Sequence, residues 1–185
     1  MTGFTILGII VLVVGYGIYL YNDLVSKRQL TNEGWSGIDV QLKRRTDLIP
    51  NLLETVKGYM GHERETLEAV TQARAAATNG ANAGPAERSK LEGALSGALG
   101  KLLAIAEAYP DLKANTTFLE FQGALQTVED EIQLSRRYYN GAVRNMNTAV
   151  ESFPQNVVAN AFKFEQAEYF ELENETDRAV PSVKF

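Results

Sequence analysis

From Gly3 to Tyr21 the chain runs for 19 residues without a charged side chain, rich in Ile, Leu and Val, and the first charge is Asp23. At ~1.5 Å per helical residue such a run reaches ~28 Å, the thickness of a bilayer's hydrocarbon core. It reads as a transmembrane helix. A cleaved signal peptide needs a basic leading segment, a shorter apolar stretch and a small-residue cleavage site, and none is evident. Tyr16, Tyr19 and Tyr21 cluster toward the far end of the run, where amphipathic rings favour the headgroup level. No Lys or Arg precedes the run, whereas Lys27 and Arg28 follow it, so charge asymmetry places the body on the cytoplasmic side.

Composition removes several chemistries. With no Cys in the chain, disulfides, thiolate metal sites, iron–sulfur clusters, cysteine nucleophiles and a lipidated cysteine terminus are all excluded. The net charge of −5 opposes a phosphate backbone, and Lys43-Arg44-Arg45 is too short a basic run to reverse that. No nucleic-acid partner is expected.

Beyond the apolar run, helical spacing dominates. Trp35, Ile38, Leu42, Ile49, Leu52, Val56 and Tyr59 recur at three- and four-residue steps, with Pro50 predicting a kink or a restart and Gly58 and Gly61 a break. A second helix is predicted over 62–77. After a turn at Asn79–Gly84, a third opens at Pro85 and carries Leu91, Leu95, Leu99, Leu102 and Ile105. The segment Tyr109–Asn115 reads as a loop, and Asn115, Thr116 or Thr117 is placed to cap the next helix, Thr117 with Glu120 fitting a capping box. That helix is the longest pattern, from Phe118 through Val128, Ile132, Tyr139 and Met146 to Val150, and Pro154 ends it. A short helix follows through Val157 to Phe162, and an acidic stretch with aromatics frays thereafter. The fold class predicted is all-α: an N-terminal transmembrane helix followed by an elongated antiparallel bundle of long amphipathic helices. Its organisation is an anchor over residues 1–22, a bundle over 23–162 and a C-terminal tail over 163–185.

A string of segments spread along nearly the whole chain resembles the LemA family of bacterial membrane proteins. The resemblance is carried by Trp35-Ser36-Gly37-Ile38-Asp39-Val40-Gln41-Leu42-Lys43-Arg44-Arg45, Asp47-Leu48-Ile49-Pro50-Asn51-Leu52 and Glu54-Thr55-Val56-Lys57-Gly58-Tyr59. Tyr109-Pro110-Asp111-Leu112-Lys113-Ala114-Asn115, Arg136-Arg137-Tyr138-Tyr139-Asn140 and Phe153-Pro154 continue it. The resemblance implies an N-terminal anchor and a cytoplasmic helical bundle at the bacterial inner membrane. It brings no catalytic residues.

Single residues offer little chemistry. A di-iron bundle needs paired Glu-x-x-His units, but the single histidine, His62, has Tyr59 three residues before it. His62-Glu63-Arg64-Glu65 lacks the second histidine of a zinc-protease helix, since position 66 is Thr. No Ser–His arrangement is in view. Glu129, Asp130 and Glu131 are neighbours that point in different directions on a helix and read as a solvated face. Lys43-Arg44-Arg45 stands too far from the anchor to serve as a lipid patch on a straight helix. Trp35, Tyr138 and Tyr139 read as core, whereas Phe162, Phe164, Tyr169 and Phe170 lie among acidic residues and are candidates to dock onto a neighbour. Arg45 is the anomaly, a charge on the apolar seam between Leu42 and Ile49. It is expected to lean to the core edge and meet a carboxylate such as Glu129, the sharper alternative being a polar device that fixes helix register or a subunit contact.

No catalytic residue, metal ligand or cofactor is expected, and the chain is not read as an enzyme. The function expected is a membrane-tethered scaffold that self-assembles, held in the bilayer through residues 3–21, with a homo-oligomer as its first partner. A monomeric adapter for a specific membrane-protein partner, such as a protease or a sensor, is the alternative.

Overall fold

Uncharged, mostly aliphatic residues from position 3 onward, followed by a heptad-like seam with no loop-forming cluster, give one long helix, α1 (Thr2–Lys57). The computed structural model describes residues 2–171, and the later part of the tail, 172–185, lies outside the described residues. Among the described residues five more helices follow: α2 (Arg64–Asn79), α3 (Pro85–Ala106), α4 (Pro110–Lys113), α5 (Thr116–Glu151) and α6 (Gln155–Ala161). No strand occurs among the described residues. The chain is all-α.

Two compact units divide the described residues: 2–37 with 135–168, and 38–134 with 169–171. In the first, α1 up to Gly37 packs with the last part of α5 and with α6. Leu24, Met146, Ala149, Ala159 and Phe164 form its buried cluster, flanked by Val25, Val150 and Val158. Gly34 permits close approach of two helices, since a Cβ there would stand 3.0 Å from the Tyr139 Cα. As far as Glu171, the last described residue, the chain does not fray after α6. Lys163 adopts a left-handed conformation (φ 56°), Phe164 N–H donates to Ala159 C=O (2.9 Å) and Lys163 N–H to Asn160 C=O (3.4 Å), which is a Schellman stop. The segment beyond is then tied to α5. Asn147 grips Ala167 twice, accepting from its N–H (2.8 Å) and donating to its C=O (3.0 Å), and the Tyr139 hydroxyl donates to the Glu168 carbonyl (2.7 Å).

In the second unit, α2 and α3 form a helical hairpin, with the later part of α1 and the earlier part of α5 completing the core. Ile49, Leu52, Val56, Met60, Val70, Leu95, Leu99, Leu102, Leu112, Phe118 and Leu125 are buried together. Pro85 sits in the first turn of α3, where its missing N–H costs nothing. The Asn115 side chain accepts from the Phe118 N–H (3.0 Å), so Asn115 rather than Thr117 caps α5. The predicted loop before it contains the single turn of α4.

Pro50 does not restart α1, which continues to Lys57. A proline at position 50 withholds the donor that would satisfy the carbonyl of Thr46, four residues earlier. Arg74 of α2 supplies the replacement, its Nε–H donating to the Thr46 carbonyl at 3.1 Å. A side chain from a neighbouring helix therefore repairs the break in the ladder.

Candidate functional site

Two features stand out from the fold. The first is the opening of α1. Phe4 (84%), Leu12 (75%), Val13 (65%) and Tyr19 (64%) are exposed, and their neighbours are nearly as open. Burial of large aliphatic side chains is what normally stabilises them. Here a helix long and apolar enough to cross a membrane presents its side chains outward along most of the run, Leu20 being the buried exception.

The second is a buried network of charge in the second unit. The inward seam of α1 is Ile38, Leu42, Arg45, Ile49, Leu52 and Val56, and that of α3 is Arg88, Glu92, Leu95, Leu99, Leu102 and Ala106. Both alternate steps of four and three, so Arg45 and Glu92 occupy true core positions of facing helices. Arg45 is completely buried rather than leaning to the edge, and Glu92 is completely buried with it. The Arg45 Nη2–H donates to the Glu92 carboxylate (2.6 Å) and to its backbone carbonyl (3.2 Å). Its Nη1–H donates to Glu129 of α5 (2.5 Å) and to the Ser96 hydroxyl (2.6 Å). The other Glu92 oxygen accepts from Arg88 Nε–H (2.9 Å), and Arg88 Nη2–H reaches Asp39 (3.2 Å). Glu129, the partner expected for Arg45, is in place. Glu92, Arg88 and Asp39 are additional, and the signal for two of them was present in the sequence, since the four-three seam of α3 extended backward from Leu95 lands on Glu92 and Arg88.

Chemically this network is suited to holding helices together. A guanidinium has no accessible neutral form near neutrality, and each of these carboxylates faces one. The geometry fixes three helices at one level, because Arg45 is bonded to α3 and α5 at once.

The remaining candidates fall on separate surfaces. His62 is exposed between α1 and α2, and no group of three or more His, Cys, Asp or Glu among the described residues is placed to hold a metal ion. Lys43 and Arg44 are exposed, Lys43 pairing with Asp47 (2.8 Å), while Arg45 turns inward, so the basic triplet does not act as one patch. Of the acidic run, Glu129 serves Arg45 and Asp130 accepts from Gln126 (3.2 Å). Trp35 lies 5.5 Å from Tyr139 between ring centres, and burial, with the charge of Glu168, pushes the Tyr139 hydroxyl up to about 12. Burial and the hydrogen bond to Glu63 likewise raise Tyr109. The C-terminal aromatics divide. Phe164 and Phe170 are buried within the chain, not presented to a neighbour, while Phe162 remains 62% exposed.

These observations define an all-α protein whose first helix is long and apolar enough to cross a membrane and whose body contains a buried ionic network. A family model described as the LemA family matches residues 34–185, and the chain belongs to that family. It is 29% identical over 153 residues to Protein LemA of Metamycoplasma hominis, covering 80% of this chain and 69% of that one. It is also 26% identical over 175 residues to Magnetosome protein MamQ 2 of Paramagnetospirillum magneticum, covering 82% and 64%. With Magnetosome protein MamQ of Magnetospirillum gryphiswaldense the identity is 24% over 177 residues, covering 83% and 62%. The chain thus spans somewhat under two thirds of the length of these magnetosome relatives.

Proposed function

We propose that this protein is a single-pass, membrane-anchored helical scaffold of the bacterial inner membrane, which self-assembles through the faces of its helices to organise the membrane in which it sits. The observation that carries the reading is the outward-facing apolar run at the start of α1: Phe4, Ile6, Leu7, Ile9, Ile10, Val11, Leu12, Val13 and Val14 are all more than half exposed. A core helix of a water-soluble protein would have these side chains covered, whereas lipid is the environment that matches them. The names of the magnetosome relatives agree with a role at a membrane. For self-assembly the support is physical. A single anchor confines every copy to a plane, where weak lateral contacts gain from effective concentration, and Leu119, Leu134 and Tyr138 leave apolar area on the outside of α5.

The test is mass. The full-length chain in mild detergent and a version beginning at Asn22 are compared by light scattering, with electron microscopy of any large particle. A discrete oligomer is expected from the full-length chain. Its persistence without the anchor assigns the contacts to the helical body, and its loss assigns them to the span. Monomers in both overturn the scaffold and leave the adapter, to be pursued by adding candidate membrane-protein partners.

A further inference from the structure

The corner where α5 turns into α6 is apolar and exposed: Phe153 is 81% accessible, Val157 60% and Phe162 62%. Three aromatic or branched side chains within ten residues, beside a helix of seven, are not there to stabilise the unit they belong to. Their position along α1 explains them. Gln155 donates to Asp23, the first charged residue after the apolar run, and the Phe162 ring meets the Tyr21 ring edge-on at 4.9 Å. A groove of about 410 Å³, almost wholly apolar, is lined by Val14, Gly17, Ile18 and Tyr21 of α1 with Val158 and Phe162 of the α6 corner. Val14 lies seven residues before Tyr21, about 10 Å further toward the N-terminus at 1.5 Å per residue. The corner therefore reaches back alongside the apolar run itself.

We propose that this corner is a second membrane-contacting element. α6 lies in the interfacial layer of the leaflet from which α1 emerges, with Val157 and Phe162 among the acyl chains and lipid filling the groove they share with Val14–Tyr21. The inference rests on the anchor reading, since it is the bilayer around residues 3–21 that reaches the corner. Lipid is the occupant because the groove is continuous with the lipid-facing run and is lined by the same side chains. The polar flank agrees: Lys163 follows Phe162 directly and is exposed, and Arg28, seven residues beyond Tyr21, sits over the Phe164 ring at 4.9 Å from its centre. Cations just outside an apolar wedge are the pattern of an amphipathic element seated against anionic headgroups.

The absence of Cys makes the test direct, because a single introduced thiol carries a nitroxide spin label with no background. Val11→Cys in the span, Val157→Cys and Phe162→Cys at the corner, and Ser36→Cys on an exposed position of α1 are labelled in the full chain. Each is reconstituted in phosphatidylethanolamine–phosphatidylglycerol vesicles, and collision rates with oxygen, which partitions into lipid, and with a water-soluble nickel chelate are compared. The expected result is a severalfold excess of oxygen over nickel collisions at Val11, Val157 and Phe162, with the corner sites shallower than Val11, and the reverse at Ser36. A lipid signature at Val11 with nickel access at both corner sites overturns the second contact while leaving the anchor standing. Low collision with both reagents at the corner, the mark of a protein partner or second copy covering it, also overturns it. Nickel access at Val11 itself overturns the anchor reading and this inference together. Val157, free of the Tyr21 contact, keeps the result readable should the change at Phe162 loosen the corner.

Discussion

A buried Arg45 flanked by leucine and isoleucine tells most about how single residues shape this protein. Replacing one member of a buried ion pair leaves the other without compensation, at a cost of about 3–5 kcal/mol, whereas replacing a pair by well-packed apolar groups is often neutral. Glu92→Ala, which removes the carboxylate shared by Arg45 and Arg88 and leaves them only Glu129 and Asp39, is expected to lose stability toward the lower end of that scale in urea melts of the full chain in detergent. Arg45→Leu leaves Glu92 still bonded to Arg88 and is expected to lose less. If Arg45→Leu proves more stable and assembles normally, Arg45 has no part in setting register. Pro50 and Arg74 form a second coupled pair. Arg74→Met strands the Thr46 carbonyl and is expected to cost about 1–3 kcal/mol, the penalty of an unsatisfied buried acceptor. In a Pro50→Ala background, where the backbone can bond Thr46 again, the same change is expected to cost markedly less, with a coupling above about 0.5 kcal/mol in a double-mutant cycle. The seam on α1 made legible that Arg45 needs a carboxylate partner, Glu129 of α5 being one candidate. Glu92 and Arg88 were less so, because a charged pair four residues apart on a helix usually marks a solvated face. Arg74 could not be found without knowing which helix lies beside Pro50.

At the scale of elements, apolar periodicity located every long helix, since each must bury one stripe. The ends yielded less. The proline at position 50 signals a kink or a restart by local sterics, yet the helix runs on through it, with α2 supplying a donor to the Thr46 carbonyl. The stretch after α6 looks like fraying because it is acidic and lacks a helical stripe. Its order comes instead from side chains on α5, Asn147 and Tyr139, bonding to its backbone, a kind of anchoring that leaves no periodic trace. The Schellman stop that begins it carries Lys163 where glycine is the usual choice, and the left-handed conformation costs a residue with a Cβ about 1 kcal/mol or more. Lys163→Gly is therefore expected to raise thermal stability by about 1 kcal/mol, read as a higher denaturation midpoint, with the exposed lysine side chain itself contributing little.

For the molecule as a whole, the proposed orientation rests on very few charges. With Lys27 and Arg28 on the body side of the run and no basic residue before it, the body is expected in the cytoplasm. Added protease should then digest the body in inverted membrane vesicles and spare it in intact spheroplasts, and the opposite pattern would reverse the assignment. The helix that links span to body also carries a mechanical consequence. Between Tyr21 and Gly37, α1 has no loop and no break, and Asp23 is held by both Lys27 and Gln155. The apolar run and the rest of the first unit are keyed like a shaft to its gear: each residue advances the helix by about 100°, so one alanine inserted after Tyr21 would swing the outward-facing side of the run by that angle against α6. Whichever neighbours the span meets in the membrane, the phase of this one helix decides which side of the first unit is turned toward them.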